Sequence, residues 1–165
     1  PLGFTLSWSK VKVSKILYTF GAKIYFYDKH INKLKFKNTV RLKSLTSIFK
    51  HCDIISINVT LKGNENLINE RHFKKAKKNL KLINTSRGQV VNTKSLLLFL
   101  KKNKNACAAL DVIDYKYKDE YLKYKINNNN LLITPHIGGL TKESIAKTDL
   151  FLVKKFMKWY NNNYA

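Results

Sequence analysis

LKLINTSRGQVVNTKSLL, residues 80–97, is the stretch on which the reading of the chain turns. A short apolar opening runs into a polar turn, and a second segment starts at Asn92. Leu80, Leu82 and Ile83 suit a buried strand, because a brief apolar run bounded by turn residues fits the middle of a parallel sheet. Thr85, Ser86, Arg87 and Gly88 then emerge at the strand's carboxyl end, the edge at which open α/β sheets hold their ligands. A guanidinium there, among small hydroxyl side chains and a glycine, can grip a carboxylate through two parallel hydrogen bonds. A surface loop that happens to carry one arginine has the same letters, and this stretch alone favours that reading. The segments on either side shift the balance.

Upstream, Leu2–Leu6 suits a first strand, and Lys10–Phe20 carries Val13, Ile16, Leu17 and Phe20 at helical spacing, with Gly21 as its stop. Ala22–Tyr27 is a β-rich run ending at Asp28, Lys43–His51 a short helix, and Asp53–Val59 another buried strand. Asn69–Lys78 is expected to be helical, with Asn69 as its cap. Downstream, Asn92 caps a helix over Thr93–Lys102 whose Leu96, Leu97, Leu98 and Leu100 face inward. Ala106–Ile113 and Leu131–Thr134 read as two more strands, and Glu143–Tyr160 as a closing helix with Ile145, Leu150, Leu152, Val153, Phe156 and Trp159. Strands alternating with helices argue for an α/β fold, a doubly wound parallel sheet. There is no internal repeat. Lys101–Asn105 and Asn127–Asn130 read as exposed low-complexity loops.

A chain of 165 residues, 44% hydrophobic, suits one domain with a real core. No apolar run approaches the roughly 20 residues that span a bilayer, so no membrane role is expected. Cys52 and Cys107 stand apart, without CxxC spacing or a histidine cluster; they read as buried free thiols of a reducing cytoplasm, and no metal site is expected. The net charge of +22 invites a nucleic-acid reading. Yet only Arg41, Arg71 and Arg87 among the 32 basic residues are arginine, and the lysines are spread over every segment. That spread resembles codon bias more than a basic stripe. A dedicated nucleic-acid partner is therefore not expected; polyanion binding at low salt is.

Three blocks, LKLINTSRGQVVN (80–92), AALDV (108–112) and LLITPHIGG (131–139), together resemble the D-isomer-specific 2-hydroxyacid dehydrogenases of the phosphoglycerate dehydrogenase type. CDIISINVTL (52–61) and FGAKIYFYD (20–28) fit the same family more loosely, and order and spacing match from about Phe20 to the end. The resemblance covers the family's cofactor-binding domain. It implies a Rossmann-type NAD(P)-binding domain over residues 1–165, divergent over 1–12, with the substrate domain missing and the chain a fragment.

The resemblance also implies roles. Asp28, at the end of the second strand, would accept hydrogen bonds from the adenosine ribose; an acid there repels a 2′-phosphate and favours NAD over NADP. Thr85, Ser86 and Arg87 would stand beside the nicotinamide, with Arg87 also binding the carboxylate of a 2-hydroxy or 2-keto acid and polarising its carbonyl. Asp111 would contact the nicotinamide carboxamide, although a strand-end aspartate held by backbone amides reads the same. His136 would be the acid–base histidine, since imidazole is the natural proton donor near neutrality. It follows an apolar strand through Thr134 and Pro135, and Gly138 and Gly139 after it allow a ligand close approach. His30, His51 and His72 lie in lysine-rich stretches expected to be solvated. A homodimer is the family's usual assembly.

Two departures qualify this. Lys116 stands where the family has the carboxylate that pairs with its histidine; a lysine cannot accept the imidazole N–H and opposes its protonation. Asp114, Asp119 and Glu120 lie nearby, out of register. The glycine-rich phosphate turn should fall at 5–10, which reads TLSWSK, with Ser7 and Lys10 at the second and third glycine positions. A pseudoenzyme that keeps the fold, a diverged enzyme, and a truncated or misread N-terminus all remain open; the abruptness of the loss favours the last. The expectation is an NAD-dependent hydride-transfer domain, weak or inactive as an isolated chain, the alternative being a non-catalytic Rossmann-like interaction module.

Overall fold

The computed structural model describes the backbone of residues 2–5, 8–29 and 39–164, and side chains over 13–29 and 39–162. The chain falls into two compact units, Pro1–Thr134 and Pro135–Ala165. The first is built on strands β1 (Leu2–Thr5), β2 (Ile24–Tyr27), β3 (Thr39–Arg41), β4 (Ile54–Ile57), β5 (Lys81–Asn84), β6 (Cys107–Leu110) and β7 (Leu131–Ile133). Its helices are α1 (Trp8–Thr19), α2 (Leu45–His51), α3 (Glu70–Phe73), α4 (Thr93–Lys102) and α5 (Lys118–Ile126). The strands form one sheet in the order β3-β2-β1-β4-β5-β6-β7, every neighbouring pair parallel. The doubly wound parallel sheet read from the sequence is present, and its order reverses between β1 and β4.

Handedness explains where the helices lie. Moving from β1 to β2 runs one way across the sheet, and every step from β3 to β7 runs the other. Right-handed crossovers therefore set α1 on one face and α2 to α5 on the opposite one. Two apolar clusters match this division. Ile55, Ile57, Leu82, Ala108 and Leu110 pack with Ile48 and Phe49 of α2, Leu96 and Leu100 of α4 and Tyr121 of α5. On the other face Ile24 packs with Leu17 and Ile54.

The same rule corrects the expectation for Ile83. Strand β5 alternates, with Leu82 and Asn84 buried while Ile83 is 37% exposed. Ile83 pairs with Ser56 and Ala109 on the face opposite α2 to α5, the face on which α1 lies.

Local chemistry sets the boundaries. Gly21 takes φ +79° and closes α1: its N–H donates to the Tyr18 carbonyl, and the Ala22 N–H to that of Leu17. Ser44 caps α2 by accepting from the Ser47 N–H at 3.1 Å, and Asn92 caps α4 by accepting from the Ser95 N–H at 3.0 Å. The helix expected over Asn69–Lys78 is a single turn, α3, followed by further turns up to Leu80. On α4, Leu96 and Leu100 are buried and Leu97 is half-buried, but Leu98 is 48% exposed and Phe99 takes the inward place. Helix α5 and the edge strand β3 have no counterpart in the sequence reading. Of α5 only Tyr121 is buried, so it offers no apolar stripe to detect, and β3 is three residues long.

Two further expectations change. His72 is not solvated but fully buried: its Nδ1 accepts from the Asn69 N–H at 3.2 Å, and its ring lies 5.5 Å from Phe49. Burial first, and the Arg71 charge second, push its pKa down to about 4. His51 is exposed as expected, and His30 lies outside the described residues. Cys52 is buried and its thiol pushed up to about 11 by burial, whereas Cys107 is only half-buried.

The second unit is a loop followed by α6 (Lys142–Tyr164). Thr141 accepts from the Ser144 N–H and starts that helix. The apolar residues expected on it are present and between 48% and 58% exposed. Among the described residues no helix is long and apolar enough to cross a membrane.

Candidate functional site

The carboxyl ends of β5, β6 and β7 carry most of the residues that the sequence singled out in the first unit, Asp28 at the end of β2 being apart from them. The organiser of the turn after β5 is Asn84, a residue the sequence reading quoted without giving it a role. Its side chain is buried at the strand's last position. Oδ1 accepts from the Ser86 N–H at 3.0 Å and from the Ser86 hydroxyl at 2.9 Å, while Nδ2 donates to the Arg87 carbonyl at 3.0 Å. An asparagine with both donor and acceptor used inside three residues fixes the path of the chain. Thr85 and Arg87 are consequently held outward and exposed, with Ser86 half-buried between them. The Arg87 Nη1 donates to the Ser86 carbonyl at 2.6 Å.

Gly88 begins a 3-10 turn, Gly88–Val90, and is buried against the segment after β6. A Cβ added there would stand 2.0 Å from the Ile113 carbonyl carbon and 2.3 Å from the Asp114 nitrogen. Glycine is what lets the turn bearing Arg87 lie directly on the segment bearing Asp111. From the other side, the loop after β4 is stitched on by backbone bonds: Asn66 N–H to Gln89 O, Ile68 N–H to Val90 O and Asn92 N–H to Ile68 O. Three consecutive strand-end loops are thus one hydrogen-bonded rim.

Asp111 follows β6 directly, 8% exposed, with its N–H donating to the Asn84 carbonyl at 2.9 Å. The Thr134 hydroxyl, at the end of β7, donates to its Oδ1 at 2.6 Å. A threonine hydroxyl therefore holds this carboxylate. Lys116 is exposed; its N–H donates to Asp114 Oδ1 at 3.2 Å and its Nζ lies 5.7 Å from the Tyr117 ring centre.

At the other half of the sheet, Asp28 leaves β2 half-buried. Arg41, last residue of β3, reaches across and donates from Nη2 to the Asp28 carbonyl at 3.1 Å. The helix following β1 begins at Trp8, so the carboxyl end of β1 also feeds a helix N-terminus. The stretch 5–10 expected to form the phosphate turn lies partly outside the described residues.

His136, Gly138 and Gly139 belong to the second unit and are exposed. His136 has φ +58°, in the left-handed region that few residues other than glycine adopt. Open space surrounds the position of a Cβ at Gly139, so packing does not demand glycine there.

A cavity of about 470 Å³ lies elsewhere, at the amino end of β2, lined by Tyr18, Gly21, Lys23, Ile24, Tyr25 and Val40. It is at the wrong end of the strands for a ligand of a doubly wound sheet. At the carboxyl ends, by contrast, the donor set suits both termini of a nicotinamide adenine dinucleotide. Asp28 offers a carboxylate for sugar hydroxyls, and Asp111, the Thr134 hydroxyl and the 85–87 peptides offer acceptors and donors for an amide. For the pyrophosphate, the start of α1 offers peptide N–H groups.

A family profile described as "D-isomer specific 2-hydroxyacid dehydrogenase, NAD binding domain" matches residues 11–138. A D-3-phosphoglycerate dehydrogenase of Haemophilus influenzae is 33% identical over 155 residues, covering 92% of this chain and 38% of that protein. The chain thus spans well under half the length of this curated relative. The fold matches a D-lactate dehydrogenase with NAD+ from Lactobacillus jensenii at a TM-score of 0.85 and 24% identity, covering 99% of this chain and 53% of the other. It also matches the Aquifex aeolicus D-lactate dehydrogenase complexed with NAD and lactic acid, at a TM-score of 0.77 and 28% identity, over 99% of this chain and 55% of that one.

Proposed function

The chain belongs to the D-isomer specific 2-hydroxyacid dehydrogenases, in their NAD-binding domain, and from that premise we propose that it carries the cofactor half of a 2-hydroxy acid/2-keto acid oxidoreductase. The observation that carries this reading is the rim at the ends of β5 to β7. Asn84 holds Ser86 and leaves Thr85 and Arg87 outward, and Gly88 seats that turn on the segment holding the Asp111–Thr134 pair. NAD, when bound, accepts or supplies the hydride at the substrate's C2.

Everything else falls to side chains. Asp28 accepts from the adenosine ribose hydroxyls. Asp111 holds the carboxamide and so orients the ring. Arg87 anchors the substrate carboxylate; its guanidinium is exposed at the strand end, and its planar fork matches a carboxylate. His136 gives a proton to the C2 oxygen as a keto acid is reduced and takes one back in oxidation. Its left-handed backbone and the open space at Gly139 support a role other than filling a turn. Because the chain spans so little of its relatives, we assign the isolated domain cofactor binding with little turnover of its own. Cys52 and Cys107, both unpaired, support a reducing compartment such as the cytoplasm.

Lys116 is the observation that favours a second reading, a non-catalytic module with incidental polyanion binding. Its ammonium rests near the Tyr117 ring, where a carboxylate partner for the histidine would be expected. Joining the chain to the substrate half of a relative separates the two. The dehydrogenase reading predicts NADH-dependent reduction of a 2-keto acid, cut by about 10²-fold or more in kcat in His136→Gln. The second predicts none, in either protein.

A further inference from the structure

Lysines that are spread along the sequence gather in space at one edge of the sheet. In a parallel sheet every strand starts at the same edge, and each crossover helix runs back to finish there. Lys50 closes α2, Lys101 and Lys102 close α4, and Lys123 and Lys125 close α5. Lys81 opens β5, Lys104 lies just ahead of β6, and Lys23 precedes β2. All of these are exposed. Asp53, at the start of β4, is already taken by Lys77 at 2.7 Å, and Glu70 by Lys74 at 2.9 Å. The other acids of the first unit stand at the opposite edge. Asp28, Glu65, Asp111 and Asp114 follow strands there, and Asp119 and Glu120 lie in the first turn of α5.

Helix C-termini favour cations, which explains Lys101 or Lys125 but not Lys81 and Lys104 at strand starts. The same edge carries apolar groups that gain nothing from water. Phe20, just after α1, and Ile126, the last residue of α5, are each 82% exposed, more than any other large hydrophobic residue among the described ones. At the Phe20 corner the cavity of about 470 Å³ is lined by Tyr18, Lys23 and Tyr25, and tyrosine suits a boundary between apolar and wet surroundings. From β2 to β7 is five strand steps, about 24 Å, so the two apolar groups stand at separate corners with the lysines between them. We propose that this edge docks on an anionic phospholipid surface, the lysines facing the headgroups while Phe20 and Ile126 enter the interface. Among the described residues no helix is long and apolar enough to cross a membrane, so the contact is peripheral. Lysine's compact charge fits a diffuse negative field, whereas recognition of a polynucleotide favours the arginine fork. An exposed Phe20 and Ile126 also have no use against a phosphate backbone. The rim at the carboxyl ends of the strands points away from such a surface, and the proposal is independent of what that rim binds.

The test is co-sedimentation of the full chain with vesicles of phosphatidylcholine alone and of phosphatidylcholine mixed with phosphatidylserine, at physiological salt. The mixed vesicles should bind at least about tenfold tighter than the neutral ones. Lys81→Gln/Lys101→Gln/Lys125→Gln should lose about a hundredfold, from roughly fivefold per lysine. Lys43→Gln/Lys62→Gln/Lys118→Gln removes the same charge from the carboxyl edge and should lose less than about tenfold. Phe20→Ser/Ile126→Ser should lose about tenfold with no change of charge. Every altered side chain is exposed, and either amino-edge variant decides the matter if the other does not fold. Equal losses in the two glutamine triples would make the attraction one of net charge and overturn the proposal. Undiminished vesicle binding in either folded amino-edge variant would overturn it too. So would a duplex oligonucleotide that binds through the same lysines while the vesicles are ignored.

Discussion

The α-carbon of Gly88 lies so close to the main chain of Ile113 that a methyl group there would stand 2.0 Å from the Ile113 carbonyl carbon. That approach joins two strand ends into one site, since Gly88 follows Arg87 and Ile113 follows Asp111 by two residues. Gly88→Ala must push the two loops apart. We expect a loss of at least about 2 kcal/mol in urea unfolding, the range of an overpacked interior, together with weakened NADH binding. An unchanged midpoint would show that the rim can open at no expense.

Asn84 should matter nearly as much, for a different reason. Asn84→Ala deletes bonds to the Ser86 N–H, the Ser86 hydroxyl and the Arg87 carbonyl. A loss of about 1–2 kcal/mol is expected, since three bonds go and their partly buried partners are left unsatisfied. Asn84→Asp keeps the acceptor but loses the donor and buries a charge, so it should be no better than alanine. Calorimetric melting of both variants decides this, and a silent Asn84→Ala would contradict it.

His72 predicts an acid sensitivity. Its pKa in the folded chain is about 4, against an ordinary 6.5, because the ring is buried and faces the Arg71 charge. The unfolded chain takes up the proton first. The stabilisation is therefore present above about pH 6.5 and is lost as pH falls toward 4, by up to about 3 kcal/mol. Protonation also competes with the bond that Nδ1 accepts from Asn69. Unfolding free energies at pH 7 and pH 4.5 should differ more for the natural chain than for His72→Phe. Equal differences would remove His72 from the account.

Cys52 is fully buried with its thiol pushed up to about 11, whereas Cys107 is half-buried. Thiol titration of the folded protein should leave Cys52 unmodified until denaturant is added, as mass mapping would show. Rapid labelling of both would contradict the packing of α2 against β4.

Much of the fold was legible because its signals are local. Asn92, Gly21 and the apolar periodicity of α1 and α4 each state their element, and strands alternating with helices state the parallel sheet. The misses have non-local causes. Ile83 looks like core, yet the crossover rule gathers α2 to α5 on the opposite face. His72 sits among basic neighbours, but one turn of helix carries its ring under Phe49. Strand β3 depends on pairing with β2, which a polar triplet does not announce. TSRG and AALDV fall, as read, at the carboxyl ends of β5 and β6. Asn84 was hidden because its work is done entirely within the turn it begins. An asparagine ending an apolar run before small hydroxyl residues was the available signal.

A dehydrogenase domain of this kind has to receive NAD although TLSWSK replaces the glycine-rich turn. The most direct measurement is NADH binding to the purified chain, by fluorescence or calorimetry, with Asp28→Ala as control. Micromolar binding that weakens in the control is expected, with the α1 N-terminus holding the pyrophosphate without glycines. No binding at millimolar NADH would contradict it and leave the fold of a dehydrogenase domain without its cofactor.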